Sequence, residues 1–223
     1  MRYIRICQIV AADILLFCVA AKAGGQTGYV FGTVINEQGS PVAGVKVTAK
    51  LVDDAPIIRV IRYVETGTDG RFRIDRLSWG EYKIFTKKDS DGYPNSASTF
   101  YSNTPAPRIK LSPVSPDASV TINLGPKAGF VKGTITDSVT GAPIDAGVHV
   151  WQTFNPNYWL EKSLRSQYLL LIPSNVQVGM EVQAKGYEPW YYPGSAAPGR
   201  PLIEAPGQAI IVDVRLTPIR KQP

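Results

Sequence analysis

Two stretches of this chain, roughly 100 residues apart, are written to one plan. GYVFGTVINEQGSPVAGVKV begins at Gly28 and GFVKGTITDSVTGAPIDAGVHV begins at Gly129. Gly28, Val30, Gly32, Thr33 and Val34 answer to Gly129, Val131, Gly133, Thr134 and Ile135. After one inserted residue Pro41 and Val42 match Pro143 and Ile144, and after a second Gly44, Val45 and Val47 match Gly147, Val148 and Val150. The halves also close alike, ASVTINLGP from Ala118 and IIVDVRLTP from Ile210 both finishing in Leu-x-Pro. Solenoid units repeat every 20 to 50 residues or so, and this period is far longer. The sequence therefore predicts a tandem pair of whole domains, residues 28–125 and 129–217, divided where Leu124-Gly125-Pro126-Lys127-Ala128 stops a strand. A chain of 223 residues holds two such units comfortably.

Inside each copy the hydrophobic period is two. Val30 to Asn36 and Val45 to Leu51 alternate β-branched with small or polar residues, as half-buried strands do. EQGSP and VTGAP join them as loops whose Gly and Pro set the backbone. Ile57 to Thr66 reads as a further strand, and no 3.6-residue period follows the N-terminal segment. Many short strands between Gly and Pro turns indicate an all-β chain of sandwiches. Asp69-Gly70, between Thr66 and Phe72, is expected to be a two-residue hairpin turn, since both residues tolerate positive φ. A calcium loop there would need oxygen ligands at alternating positions and a late Glu, whereas Gly67 and Arg71 flank Asp69 at that spacing. DSDG at Asp89 to Gly92 lacks the third acid and the Glu, and reads as a surface loop.

These turn and core residues resemble the carboxypeptidase regulatory-like domain, a seven-stranded transthyretin-like sandwich. Gly32, Val34, Gly39, Pro41, Val42, Gly44, Val45, Val47, Thr66, Gly70, Phe72, Ile74, Leu77, Gly80 and Tyr82 fit its pattern. The second copy keeps the first block and then departs, RSQYLLLIPSNVQVGMEVQAKGYEPWYYPG being similar to a variant of the family that ends in Ala-x-Gly-Tyr-x-x-Trp. The resemblance implies two tandem sandwiches with Greek-key, immunoglobulin-like connections. It also implies an accessory, non-catalytic module that sits beside working domains in secreted peptidases and outer-membrane proteins. Related sandwiches include starch-binding-like folds, so carbohydrate binding is the alternative it implies.

The first residues have the marks of a signal peptide over 1–23. Arg2 and Arg5 open it, Ile14 to Ala21 is apolar, and Ala21-Lys22-Ala23 has the small-x-small form of a cleavage site. The alternative is a retained anchor, but Asp13 would cost about 2.5 to 3.5 kcal/mol inside a spanning helix and only eight apolar residues follow it. A lipid anchor at Cys18 would need a small residue before it, and Phe17 is large. Cys7 and Cys18 both lie in this segment, so the processed chain has neither disulfide nor thiolate chemistry. Processing removes Arg2, Arg5, Lys22 and Asp13, lowering the formal charge from +6 to +4. The remaining basic residues are scattered and not gathered in a patch, so no nucleic-acid partner is expected. Export to the periplasm, cell surface or medium follows, with membrane contact only through an uncleaved leader.

No catalytic constellation stands out. His149 is the only histidine, and alternation in GVHVW sets it on the face opposite Val148 and Val150, with Gly147 and Trp151. One imidazole and no thiolate make a poor zinc set, and Asp145, Glu161, Glu181, Glu188 and Glu204 form no recognisable glycosidase pair. No Gly-rich phosphate loop follows a strand. The expectation is no enzyme, no metal and no cofactor. What rises above background is aromatic: WQTFNPNYW at 151–159 and GYEPWYYPG at 186–194. Large flat rings stack on sugars and anchor protein contacts. Tyr187 and Trp190 are expected in the core, leaving Trp151, Tyr158, Trp159 and Tyr191 as candidate contacts for an envelope or extracellular protein, or for a glycan.

Overall fold

The computed structural model describes residues 27–52, 60–101, 105–194 and 199–219. The expected leader, 1–23, lies outside them, as do residues 57–59 of the strand expected from Ile57. The first half contains β1 (Gly28–Ile35), β2 (Lys46–Leu51), β3 (Val60–Glu65), β4 (Arg71–Leu77), β5 (Gly80–Lys87), β6 (Arg108–Leu111) and β7 (Asp117–Asn123). They form two sheets, ordered β4-β1-β7 and β3-β2-β5-β6. The second half contains β8 (Gly129–Asp137), β9 (Ala146–Gln152), β10 (Asn155–Leu164), β11 (Gln167–Ile172), β12 (Val178–Gln183), β13 (Trp190–Tyr191), β14 (Ala209–Ile211) and β15 (Val214–Leu216). Its sheets run β11-β8-β14, with β15 continuing alongside β8, and β10-β9-β12-β13. The two orders are the same once β8 is laid on β1, so the sequence repeat is also a repeat of topology. The fold is all-β sandwich, as the alternating pattern predicts. Among the described residues no helix is long and apolar enough to cross a membrane.

The repeated motif has a physical cause. β1 pairs in parallel with β7, and β8 with β14 and β15. At Gly32 an added Cβ would overlap the carbonyl oxygen of Val120, and at Gly133 that of Val212. Both glycines let a parallel neighbour approach that any side chain would hold off. The matched apolar residues are the cores: Val30, Val34, Val45 and Val47 in one sandwich, Val131, Ile135, Val148 and Val150 in the other, all essentially inaccessible. Each such side chain contributes about 1.5 to 3 kcal/mol by leaving water. The loops after β1 and β8 also match. Asn36 Oδ1 accepts the N–H groups of Gln38 and Ser40, and Asp137 Oδ1 accepts those of Val139 and Thr140.

The turn at Thr66 to Gly70 differs from expectation. β3 pairs with β2 and β4 with β1, so this is not a hairpin but a corner that carries the chain from one sheet to the other. Only Gly70 has positive φ, at 71°. Asp69 acts through its side chain, Oδ1 accepting Arg71 N–H at 3.0 Å, while Gly67 and Arg71 close the corner through the backbone. Buried Thr66 fixes it from below, its hydroxyl accepting from Val45 N–H at 2.9 Å and donating to the Val42 carbonyl at 2.6 Å. DSDG forms one 3-10 turn, Asp89–Asp91, tied by Lys87 and Lys88 ion pairs of 2.9 and 2.7 Å.

Candidate contact face on the second sandwich

β9 alternates strictly. Val148 and Val150 point into the core, and Gly147, His149 and Trp151 point outward. Its neighbours are set by register. Trp151 lies between Trp159 of β10 and Gly179 of β12; His149 lies between Glu161 and Glu181; Gly147 lies between Ser163 and Gln183. Tyr191 of β13 stands beyond Glu181. Cross-strand partners bring their Cβ atoms within about 4.5 to 5.5 Å, so these side chains share one surface.

Trp151 is the floor of that surface. An added Cβ at Gly179 would overlap Cε2 and Cζ2 of Trp151, so the indole lies flat across the glycine. It is half-buried, and Trp159 beside it is 51% exposed. The His149 ring joins the two, its centroid 5.2 Å from Trp151 in a tilted contact and 5.9 Å from Trp159 edge-on. Next to the rings is an open bay of about 410 Å³ lined by His149, Glu161, Ser163, Glu181 and Gln183. Glu181 Oε1 accepts the Tyr191 hydroxyl at 3.1 Å and the Gln183 amide, and its Oε2 stands 4.0 Å from His149 Nδ1. Donation to Glu181, then burial, holds the Tyr191 phenol above its usual value, so it stays a donor.

A flat ring face bordered by fixed acceptors and donors suits stacking combined with hydrogen bonding. A nucleophile and its base need contact at about 2.6 to 3.2 Å. Ser163 lines the bay but makes no hydrogen bond to His149, and the nearest Glu181 oxygen is too far for one. Among the described residues no group of three or more His, Cys, Asp or Glu is placed to hold a metal.

Three of the four aromatic candidates converge here: Trp151, Trp159 and Tyr191. Tyr158 does not join them. It precedes Trp159 on β10, and alternation turns it to the opposite side, where it is half-buried. Trp190 is 9% exposed in the core, with Tyr187 and Tyr192 packed partly against it. Sequence reasoning left His149 as a plain strand residue and Glu161 and Glu181 as scattered acids. Their convergence depends on the β10-β9-β12 register, which the opposing alternation of GVHVW and VGMEVQ only hints at.

Residues 29–112 match the model of the carboxypeptidase regulatory-like domain. The first sandwich is a carboxypeptidase regulatory-like domain. Its diagnostic residues are structural: Val34, Val45, Val47, Phe72, Ile74, Leu77 and Tyr82 are buried, and Gly39, Gly44, Gly70 and Gly80 have positive φ. The aromatic face lies wholly outside the matched range. No curated protein matches the chain. Among solved structures, a streptococcal ancillary pilin is similar at 14% identity and TM-score 0.38, over 89% of this chain and 64% of its own. The Bacillus anthracis TIE protein is similar at 12% identity and TM-score 0.33, over 87% of this chain and 34% of its own. The shaft pilin SpaA from Lactobacillus rhamnosus GG is similar at 10% identity and TM-score 0.34, over 88% of this chain and all of its own. The chain spans less than two thirds of the first two.

Proposed function

We propose that this is an exported, non-catalytic binding or scaffolding protein that mediates protein or envelope interactions. In this reading residues 1–23 are its leader, residues 28–125 and 129–217 are its two units, and the second is a diverged copy of the carboxypeptidase regulatory-like domain. The observation that carries the proposal is the outer face of β10-β9-β12-β13, where Trp151, Trp159, His149, Glu181 and Tyr191 stand together on a rigid sheet. Aromatic residues on a preformed surface anchor contacts with little ordering of their own. The accessory character of the matched family fits a mount for such a face. A pull-down from the extracytoplasmic fraction with the full chain and with Trp151→Ala/Trp159→Ala tests it. A partner held by the native face and lost by the double variant is expected. Recovery of the protein alone, or a partner held equally by both, would count against it.

The flat exposure of Trp151 favours a second reading, in which the face binds a glycan. An indole floor beside Glu161, Glu181 and Gln183 offers a stacking surface and acceptors for hydroxyl groups. Isothermal titration with a panel of glycans decides it, and flat traces throughout would end this reading.

A further inference from the structure

We propose that residues 89–101 are an intramolecular clamp, by which the first sandwich completes the core of the second and braces the strand that carries Trp151. Among the described residues the strands of the two halves do not pair with one another. Phe100, however, follows β5 of the first sandwich in sequence and is buried in the core of the second. It is 1% exposed, in a cluster with Val131, Val150, Leu170, Ile172 and Val178. Tyr101 packs partly against the same cluster, meets Phe100 edge-on at 5.0 Å, and donates its hydroxyl to the Leu171 carbonyl at 3.2 Å.

The polar partners show that the second sandwich is built to receive this segment. Gln152, the last residue of β9, is 5% exposed, and its amide donates to the Phe100 carbonyl at 2.7 Å. The matched inward position in the first sandwich is Ala49, fully buried. A buried amide in place of an alanine is unfavourable unless it is hydrogen-bonded; the clamp supplies the acceptor for its N–H, while Gln152 Oε1 is buried without a partner. At the near end the segment is rooted in its own sandwich. Lys88 and Tyr93 exchange two backbone hydrogen bonds of 2.7 and 3.0 Å, Ser96 N–H donates to the Thr86 carbonyl at 2.9 Å, and Ser96 Oγ accepts Thr86 N–H at 2.9 Å. The Gly92 carbonyl also accepts Ala128 N–H at 2.8 Å, in the short link between the halves. The connection from β5 to β6 spans residues 88–107, while its counterpart from β12 to β13 spans only 184–189. Connections of the longer kind are uncommon in compact domains and are usually either functional or linkers. Gln152 adjoins Trp151, so the clamp also fixes the end of the strand that holds the aromatic floor. This holds whether or not that face binds a partner.

Hydrogen exchange on the full chain tests the clamp. Phe100→Ala should lower amide protection in β9, β11 and β12 by at least about a hundredfold, as deletion of a buried aromatic does, while β1, β2 and β5 keep theirs. Tyr101→Phe, which removes one hydroxyl, should give a smaller loss of a fewfold confined to the same second-sandwich strands, and it serves if Phe100→Ala does not fold. Unchanged second-sandwich protection in Phe100→Ala, or in Tyr101→Phe where only that variant folds, would overturn the proposal.

Discussion

The two sandwiches share a skeleton and differ in what it displays. Lys46 and Thr48 on β2 occupy the positions of His149 and Trp151 on β9. Across the first sheet, Lys46 faces Glu65 and Lys87, and Thr48 faces Tyr63 and Phe85. Across the second, His149 faces Glu161 and Glu181, and Trp151 faces Trp159 and Gly179. On the first face Lys46 Nζ sits 3.8 Å over the Tyr63 ring. The second sets carboxylates around an imidazole and clears a glycine so that an indole lies flat. The matched inward positions of the repeated motif are apolar in both cores, whereas the outward positions differ, and the proposed contact surface of the second sandwich lies on them.

The largest effects should strike both copies alike. Gly32→Ala and Gly133→Ala each drive a methyl group into a parallel neighbour's carbonyl, and overpacking of this kind costs about 1 to 3 kcal/mol or more. Denaturant unfolding of the two variants should show losses of similar size, and a tolerant Gly133 would break the structural equivalence. Gly179→Ala should separate the copies. Trp151 has to lift from the sheet, with a loss of about 1 to 3 kcal/mol and of whatever the face binds. Lys46→Ala, on the matching face of the first sandwich, should change stability by no more than about 1 kcal/mol and leave binding intact.

Acid should also tell the halves apart. Asn36 and Asp137 organise equivalent loops, yet only Asp137 titrates. The N–H groups of Thr140 and Val139, and then the Tyr187 hydroxyl, hold its carboxyl below the ordinary value. A group held low in the folded state gives its full stabilisation above the ordinary value, about 3.9, and loses it as pH falls through the lower folded one. Asp213, held low by Thr134, adds to this in the same sandwich, against Asp91 alone, held low by Lys88, among the described residues of the first half. Below about pH 4 the second sandwich should therefore lose protection faster than the first, and Asp137→Asn should flatten that slope. Equal slopes in the native chain would contradict the assignment.

Most of the skeleton was legible in the sequence. Alternation placed Val148 and Val150 inside and His149 outside. The corner at Thr66 to Gly70 was misread because a turn sequence specifies the bend of the chain and not which strand each arm will pair with. The Glu161–His149–Glu181 row was hidden for the same reason, since register is set by long-range pairing. Tyr158 was grouped with Trp159 by proximity, although neighbours on a strand face opposite ways. Phe100 left no local trace, its burial being created by another sandwich. Gln152, a polar residue where alternation demands an apolar one, was the only hint of it.

Binding by paired substitutions tests most directly whether the second face, and not the first, makes the contact. The partner or glycan recovered with the native protein is titrated against Trp151→Ala/Trp159→Ala and against the matched Thr48→Ala/Tyr63→Ala. Loss of at least tenfold in affinity for the first pair, with the second pair close to native, is the expected result. Equal retention by both, or a loss confined to Thr48→Ala/Tyr63→Ala, would contradict it.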